Sequence, residues 1–257
     1  MEEILKLIQS VRNSKNMIKN KQRILILSGA EDQKGDDPTV TDMFNLTIPS
    51  KQKYAQTHGY DLSIIRSFGI DKNNKLERPD NNHVGFLRVL RALELLPYYD
   101  VVMWVDGDSI ITNNNLSIND FPLDDDHSFY VSWDWMHKEP YRNGNYVHRF
   151  SLGNFILKNT NKIDEFSNMF YHYAKYFPEE QHELNTLYDS TILHENIKIL
   201  DHNFLGGVPQ QVETLPVWKT RGKIVEPWNK THFLAHLTGI SNQDRISILK
   251  QNFVEYL

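Results

Sequence analysis

Apolar residues in this chain gather into short runs that end in small or charged residues, separated by segments with helical spacing. RILILSGA, Arg23 to Ala30, predicts a buried strand closing in small residues, where open α/β sheets bind ligands. MFNLTIPSKQKYAQTHGY, from Met43, predicts a helix ended by Gly59. DLSIIRSF, from Asp61, reads as a second strand, and the polar stretch Asp71 to Asn82 as a loop. VGFLRVLRALELLPYY predicts a helix stopped at Pro97, which delivers the chain into a third strand, Val101 to Val105. Strand, helix, strand, helix, strand implies an α/β fold with a mainly parallel central sheet flanked by helices. The second half continues with SFYVSWDW and GNFILKN as strands, and with helices from about Lys162 to Phe177 and around Leu184 to His194. KIVEP and HFLAHLTG are short apolar segments near the end. Ile4, Leu5, Ile8 and Val11 have helical spacing and predict a short amphipathic helix within residues 1–20. No internal repeat or break in composition divides the chain, so 1–257 reads as one domain.

Composition narrows the chemistry. With 257 residues, 40% of them hydrophobic and 24% charged, the chain can bury one sizeable α/β core. A net charge of -5 and a pI near 6.1 offer no basic surface for nucleic acid, so an anionic ligand needs a metal or a few local cations. There is no cysteine, which excludes disulfides and thiolate metal sites. A metal would be held by carboxylate, imidazole and water, a donor set suited to Mn²⁺ or Mg²⁺. No signal-peptide core or membrane span is visible, so the expectation is a soluble, cytoplasmic protein, with a homodimer as the default for a soluble enzyme. The three Asn-x-Ser/Thr tripeptides, at Asn45, Asn115 and Asn229, are read as chance in an Asn-rich chain.

The third strand ends in Asp106, Gly107 and Asp108, followed at once by Ser109, Ile110 and Ile111. Residues two apart on an extended segment point the same way, so both carboxylates can face one site at the carboxyl end of the strand. A divalent cation with oxygen ligands would cancel their repulsion and could bridge a diphosphate, while Gly107 lets a ligand approach the backbone. Most D-x-D pairs are solvated turn residues, but two unpaired carboxylates between apolar runs would be too costly to bury without compensation. Trp133, Asp134 and Trp135 combine flat rings with a carboxylate, which suits sugar recognition at an acceptor site, although core packing explains at least one tryptophan equally well. Asp124, Asp125 and Asp126 follow Pro122 and read as an exposed turn rather than a metal site.

KYAQTHGYDL, GFLRVLRALELLPYYDVVMWVDGDSIIT, SLGNFILKN, YDSTIL and HFLAHLTG occur in that order from Lys53 to Gly239. Together they resemble the metal-dependent, retaining glycosyltransferase family 34, the galactosyl-, xylosyl- and mannosyltransferases. The D-x-D and H-x-x-G pair is also similar to the glycogenin-like family 8, which shares the GT-A fold. The resemblance implies a nucleotide-binding half over 21–113 and an acceptor-binding, metal-completing half over 114–257. It implies Mn²⁺ or Mg²⁺ held by Asp106, Asp108 and His236, with Asp108 a direct ligand and Asp106 touching ribose or metal. A lone His is more often a satisfied core residue, but the spacing to Gly239 favours His236 as ligand, and His232, which lacks that glycine, is the runner-up. The UDP-sugar donor is expected at Ser28, Gly29, Ala30, Arg88, Gly107, Gly153, Gly239 and Arg245. For Arg88 and Arg91 taken singly, a solvated helix face is the commoner reading.

Departures from the family pattern bear on the donor. GISNQDR lacks the lysine that often follows H-x-x-G, so Arg245, Lys250 or a cation from elsewhere substitutes for it. Ser151 stands where the family usually has asparagine and Asn154 where it has a small residue; Asn154 and Asp189 are the candidate catalytic residues beside the donor sugar. For Asp189 a helix N-cap carries equal weight. The implied reaction is retaining transfer of a hexose, best read as glucose, to a hydroxyl of a glycan or glycoprotein. The chain is similar in composition to proteins of AT-rich viral genomes, which extends the expectation to viral glucosyltransferases acting on galactosyl-hydroxylysine of collagen-like protein. Alternatives are a polysaccharide transferase using UDP-galactose or UDP-xylose, a haloacid-dehalogenase-like phosphohydrolase with Asp106 as nucleophile, and a non-catalytic glycan-binding module.

Overall fold

The computed structural model describes residues 22–30, 38–66, 84–134, 141–142, 145–146, 149–177, 180–215 and 227–257. The expected helix within 1–20, the loop Asp71 to Asn82 and all of KIVEP but Pro227 lie outside the described residues. β1 (Ile24–Gly29) is buried at every position, because it lies inside a sheet covered on both faces. It pairs in parallel with β2 (Asp61–Ile65) on one side and β3 (Val101–Asp106) on the other. The full order is β2-β1-β3-β8-β5-β9, with β5 at Phe129–Trp133, β8 at Phe150–Lys158 and β9 at Ile197–Leu200. β8 alone runs against the others, since it is antiparallel to both β3 and β5, while β5 and β9 are parallel. The sheet is therefore mainly parallel, as expected. The reversal of β8 sets Asn154 opposite Val105, at the same edge where β1 and β3 end.

Alternation within the strands sorts the core. Leu25, Leu27, Val102, Trp104 and Phe155 face one side, packed against Phe86 and Val89 of α2 (Val84–Leu95), Phe166 and Phe170 of α3 (Ile163–Tyr173), and Leu184 and Leu187 of α4 (Glu180–Asp189). Ile24, Ile26, Val101, Met103, Val105 and Ile156 face the other side, against Tyr54 and Ala55 of α1 (Pro38–His58). α1 begins before Met43 and continues through Pro49. It stops where Gly59 takes a φ of 65° and the Tyr60 amide donates to the Ala55 carbonyl at 2.9 Å, the left-handed cap for which glycine is suited. α2 gives way to a 3-10 turn, Leu96–Tyr98, at the expected Pro97.

Two short antiparallel pairings complete the described sheets: β4 (Ser109–Ile111) with β10 (Leu234–His236), and β6 (Tyr141–Arg142) with β7 (Asn145–Tyr146). A third apolar cluster, including Met43, Ile110, Leu237, Ile248 and Leu249, joins α1, β4 and α6 (Asn242–Asn252); α5 (His202–Leu205) is a single turn. The expected helix around Leu184 to His194 runs earlier, Glu180 to Asp189, and gives way to turns in which Thr191 has a φ of 67°. Neither β9 nor α6 stands out in the apolar pattern. β9 is four residues long, and α6 buries only Ile248 and Leu249. Its start was nonetheless written as Ser241-x-x-Asp244, where the Ser241 hydroxyl accepts from the Asp244 amide at 3.1 Å. No described helix is long and apolar enough to cross a membrane.

Candidate active site

The apolar run of β3 ends at half-buried Asp106, and Gly107 and Asp108 form a turn into β4. The two carboxylates are thus brought together by a turn, not by an extended segment with both on one face. β10 pairs with β4 so that His236 sits opposite Ser109, and the Leu237 amide donates to the Asp108 carbonyl at 3.2 Å. That register delivers the His236 ring: Nε2 lies 3.3 Å from Asp108 Oδ1 and 3.9 Å from Asp106 Oδ2. One ligand atom from each of the three residues falls within 4.8 Å of the others, and among the described residues this is the one such group of three.

Two glycines make room for this convergence. A Cβ on Gly107 would come 2.6 Å from the Ala30 Cβ and 3.0 Å from the Gly29 carbonyl. Gly107 therefore lets the turn pack against the end of β1. A Cβ on Gly153 would come 2.1 Å from His236 Cε1, so Gly153 leaves the space the imidazole fills. Gly239, with a φ of 72°, turns the chain after β10.

Cations surround the carboxylates. Arg88, on α2, donates from Nη1 to both oxygens of Asp106 at 2.9 Å and pairs through Nη2 with buried Glu180. The solvated reading holds for Arg91, which pairs with Glu94 at the surface, and fails for Arg88, which is nearly buried. Burial disfavours the Arg88 cation, but Asp106 and Glu180 outweigh it and raise its pKa. Asp106 also accepts from Trp104 Nε1 at 3.0 Å, and its amide donates to Asn154 Oδ1 at 3.1 Å. Arg245 Nη2 lies 2.9 Å from Asp108 Oδ2, held there by bonds from its Nε to the Leu237 carbonyl and from its Nη1 to Asn242. Arg245 is thus the cation that stands at the site in place of a lysine, while Lys250 is exposed. Burial would raise the Asp108 pKa; Arg245, His236 and Lys51 outweigh it and lower the value well below the ordinary one.

Lys51 was not anticipated. It is wholly buried, and its ammonium donates to Thr47 Oγ1 at 2.9 Å, which in turn donates to the Gly107 carbonyl at 2.7 Å. Burial lowers its pKa from 10.5 to about 7 against the opposing pull of Asp108 and Asp106. The signal was present in the sequence: Phe44, Thr47, Ile48, Lys51, Tyr54 and Ala55 have the spacing of one buried helix face. Glu180 was also missed, as was Gln181, whose Oε1 accepts from the Leu152 amide at 3.1 Å. Both lie just before the apolar residues used to locate α4.

The remaining candidates divide. Ser28, Gly29 and Ala30 lie at the end of β1 against the turn; Ser28 Oγ is buried without a hydrogen-bond partner among the described residues. Asn154 is buried beside Asp106 and donates to the Leu205 carbonyl at 3.2 Å. Asp189 closes α4 instead of opening a helix, which removes the N-cap reading, and it pairs with Arg149. Arg149 is five positions along the chain from Asn154, about 16 Å of extended chain at ~3.3 Å per residue. Trp133 is half-buried and Asp134 buried, with the Asp134 amide donating to the Arg149 carbonyl at 2.8 Å. Trp135 lies outside the described residues. His232 bonds within its own turn, to Asn229, and is not in the three-residue group.

The residues fit a hard divalent cation. Two carboxylates and an imidazole are a suitable donor set, and Asp108 Oδ1 is buried without a hydrogen bond, an acceptor that a cation would satisfy.

Solved structures share this architecture. A glycosyltransferase involved in the glycosylation of the major capsid of PBCV-1 is 18% identical, with a TM-score of 0.58 over 89% of this chain and 98% of that one. The bifunctional glycosyltransferase WbbM is 12% identical, with a TM-score of 0.56 over 91% of this chain and 50% of that one. No curated protein matches the chain. The fold is thus of the GT-A type. Residues 20–131 match the model of the galactosyl transferase GMA12/MNN10 family, and the chain is a glycosyltransferase. The matched segment carries β1 to β4, the first part of β5 and the D-G-D turn; His236 and Arg245 lie beyond it. The dehalogenase-like and purely glycan-binding alternatives fall with this result.

Proposed function

We propose that the protein transfers a hexose, with glucose the first candidate, from a UDP-sugar to a hydroxyl of a glycan or glycosylated protein, with retention at the anomeric carbon. The observation that carries this reading is the convergence of Asp106, Asp108 and His236 at the carboxyl edge of a GT-A sheet. These three residues would hold Mn²⁺ or Mg²⁺. When bound, the cation supplies positive charge where the departing diphosphate gathers negative charge.

The chain's own groups do the rest. Ser28, Gly29 and Ala30 receive the uracil at the end of β1. Arg245 adds a cation beside the diphosphate, and Asn154 orients Asp106 through its backbone amide. Arg88 fixes Asp106 from behind, so that this carboxylate keeps one rotamer. Because Arg88 engages Asp106 and Arg245 engages Asp108, neither is a free base. That favours attack of the acceptor hydroxyl from the leaving-group side, with its proton passing to the departing diphosphate oxygen. The acceptor side is assigned to Trp133, Asp134 and Trp135, with a role for Asp189 at its margin. A protein-linked glycan such as galactosyl-hydroxylysine is the acceptor class proposed, in keeping with a similarly folded glycosyltransferase involved in the glycosylation of a major capsid.

A panel of UDP-sugars with Mn²⁺, scored for UDP release and repeated on Asp108→Ala and His236→Ala, tests the reading. One donor should be hydrolysed by the unaltered protein, and loss of either ligand should slow this about a hundredfold or more. Equal rates in both variants would remove the metal-site assignment.

A further inference from the structure

Behind the Gly107 carbonyl of the D-G-D turn lies a cation that the proposed reaction does not use. Lys51 projects from the buried face of α1 with no exposed surface, and its ammonium is tethered to Thr47 Oγ1 at 2.9 Å. The Thr47 hydroxyl has two carbonyls in reach, Gly107 at 2.7 Å and Phe44 at 3.0 Å, and the shorter contact joins the ammonium through Thr47 to the middle residue of the turn. One residue before Lys51, the Ser50 hydroxyl accepts from the Ile111 amide at 3.2 Å, so α1 grips both the turn and β4. The Phe44 ring lies beside the ammonium, its centroid 5.4 Å from Nζ. An ammonium so placed cannot move aside when charge changes above it. A buried cation is several kcal/mol out of water, and the charges that face it are the carboxylates of Asp108 and Asp106.

We infer that Lys51 is a fixed internal cation of the metal site: it offsets the charge of the Asp106 and Asp108 carboxylates while no metal is bound, and it would repel a divalent cation bound by them. It thereby limits how tightly metal is held. Arg245, which also meets Asp108, does so through the oxygen opposite the one nearest His236 and sits on α6, outside the buried layer. The inference rests on the metal site proposed above.

The test compares the full chain with Lys51→Met, which keeps the length and apolar stem of the side chain, and with Thr47→Val, which cuts the tether but keeps the charge. Mn²⁺ binding is followed at about pH 6.5 by the electron paramagnetic resonance signal of free Mn²⁺, and melting is measured with chelator and with saturating Mn²⁺. Lys51→Met should bind Mn²⁺ about tenfold more tightly, because a buried like charge that acts on the same two carboxylates is gone. By linkage, the rise in melting temperature that Mn²⁺ produces should be larger than in the unaltered chain. Thr47→Val should not tighten binding. An unchanged or weaker affinity in Lys51→Met, or a Mn²⁺-induced rise no larger than in the unaltered chain, overturns the inference. If the unaltered chain binds no Mn²⁺, both this inference and the metal site fall; if it binds and only the variant result fails, the metal site stands without this role for Lys51.

Discussion

Two acidic turns lie at opposite ends of the sheet and answer their charge in different ways. At Asp124–Asp126 the partners come from side chains at the rim. Lys198 reaches Asp124 at 2.7 Å, His127 reaches it at 2.8 Å, and Lys158 reaches Asp125 at 2.7 Å. Tyr130 adds its hydroxyl to the Asp124 carbonyl at 2.7 Å, so the turn is complete as it stands. At Asp106–Asp108 the carboxylates are drawn inward, and Asp108 Oδ1 has no hydrogen bond despite its burial. Charge that is fully answered by protein is structural. Charge held buried, half answered and facing an imidazole is arranged for something that arrives.

That contrast can be broken from either end. The largest effect on stability is expected from Arg88→Met, which strands buried Glu180 and frees Asp106; urea denaturation should lose about 3 kcal/mol, and donor turnover should fall with it. Gly153→Ala comes next. The added methyl occupies the His236 ring position, so Mn²⁺ affinity should fall about tenfold or more while the far-ultraviolet circular dichroism is kept, as isothermal titration would report.

A pH effect of intermediate size separates the two turns. Lys51 has a folded pKa of about 7 against 10.5 when unfolded, so between those values the unfolded chain binds more protons. The cost of its burial is therefore fully present below about pH 7 and is relieved as pH rises toward 10.5. Without metal, the stability of the unaltered chain should rise over that window relative to Lys51→Met, measured by chemical denaturation at several pH values. Asp124 acts in the opposite region. Burial would raise its pKa, but the bonds from Lys198 and His127 lower it, so its stabilisation is present above the unfolded value of 3.8 and is lost as pH falls below it. The smallest effect belongs to Asp124→Asn: a loss of about 1 kcal/mol at neutral pH, since the pair is partly exposed, with Mn²⁺ binding and transfer unaltered.

The inner layer of the site was legible in the chain, and its support was not. Asp106 and Asp108 stood out because an apolar run stopped at them, and His236 because glycine followed at a telling distance. The cations that hold them were hidden by their own chemistry. Arg88 and Lys51 are polar letters in helices, where a solvated face is the ordinary reading, and only the packed helix reveals that both point inward. Glu180 precedes the apolar residues that marked α4, so a boundary set by apolar periodicity left it out. β9 and α6 escaped for a related reason: one is four residues long, and the other is held by two buried side chains and a serine cap. The N-cap reading of Asp189 failed differently. Its neighbourhood of apolar residues suggested a helix start, and the chain uses it as a helix end.

The three-residue pairing of β4 with β10 has a consequence for how the enzyme comes into being. A chain emerging from the ribosome through β9 already holds both aspartates and the sheet that carries them, yet has neither His236 nor Arg245. Those arrive with β10 and α6. A chain cut before β10 would therefore carry the acidic turn without the imidazole that completes the three-residue group.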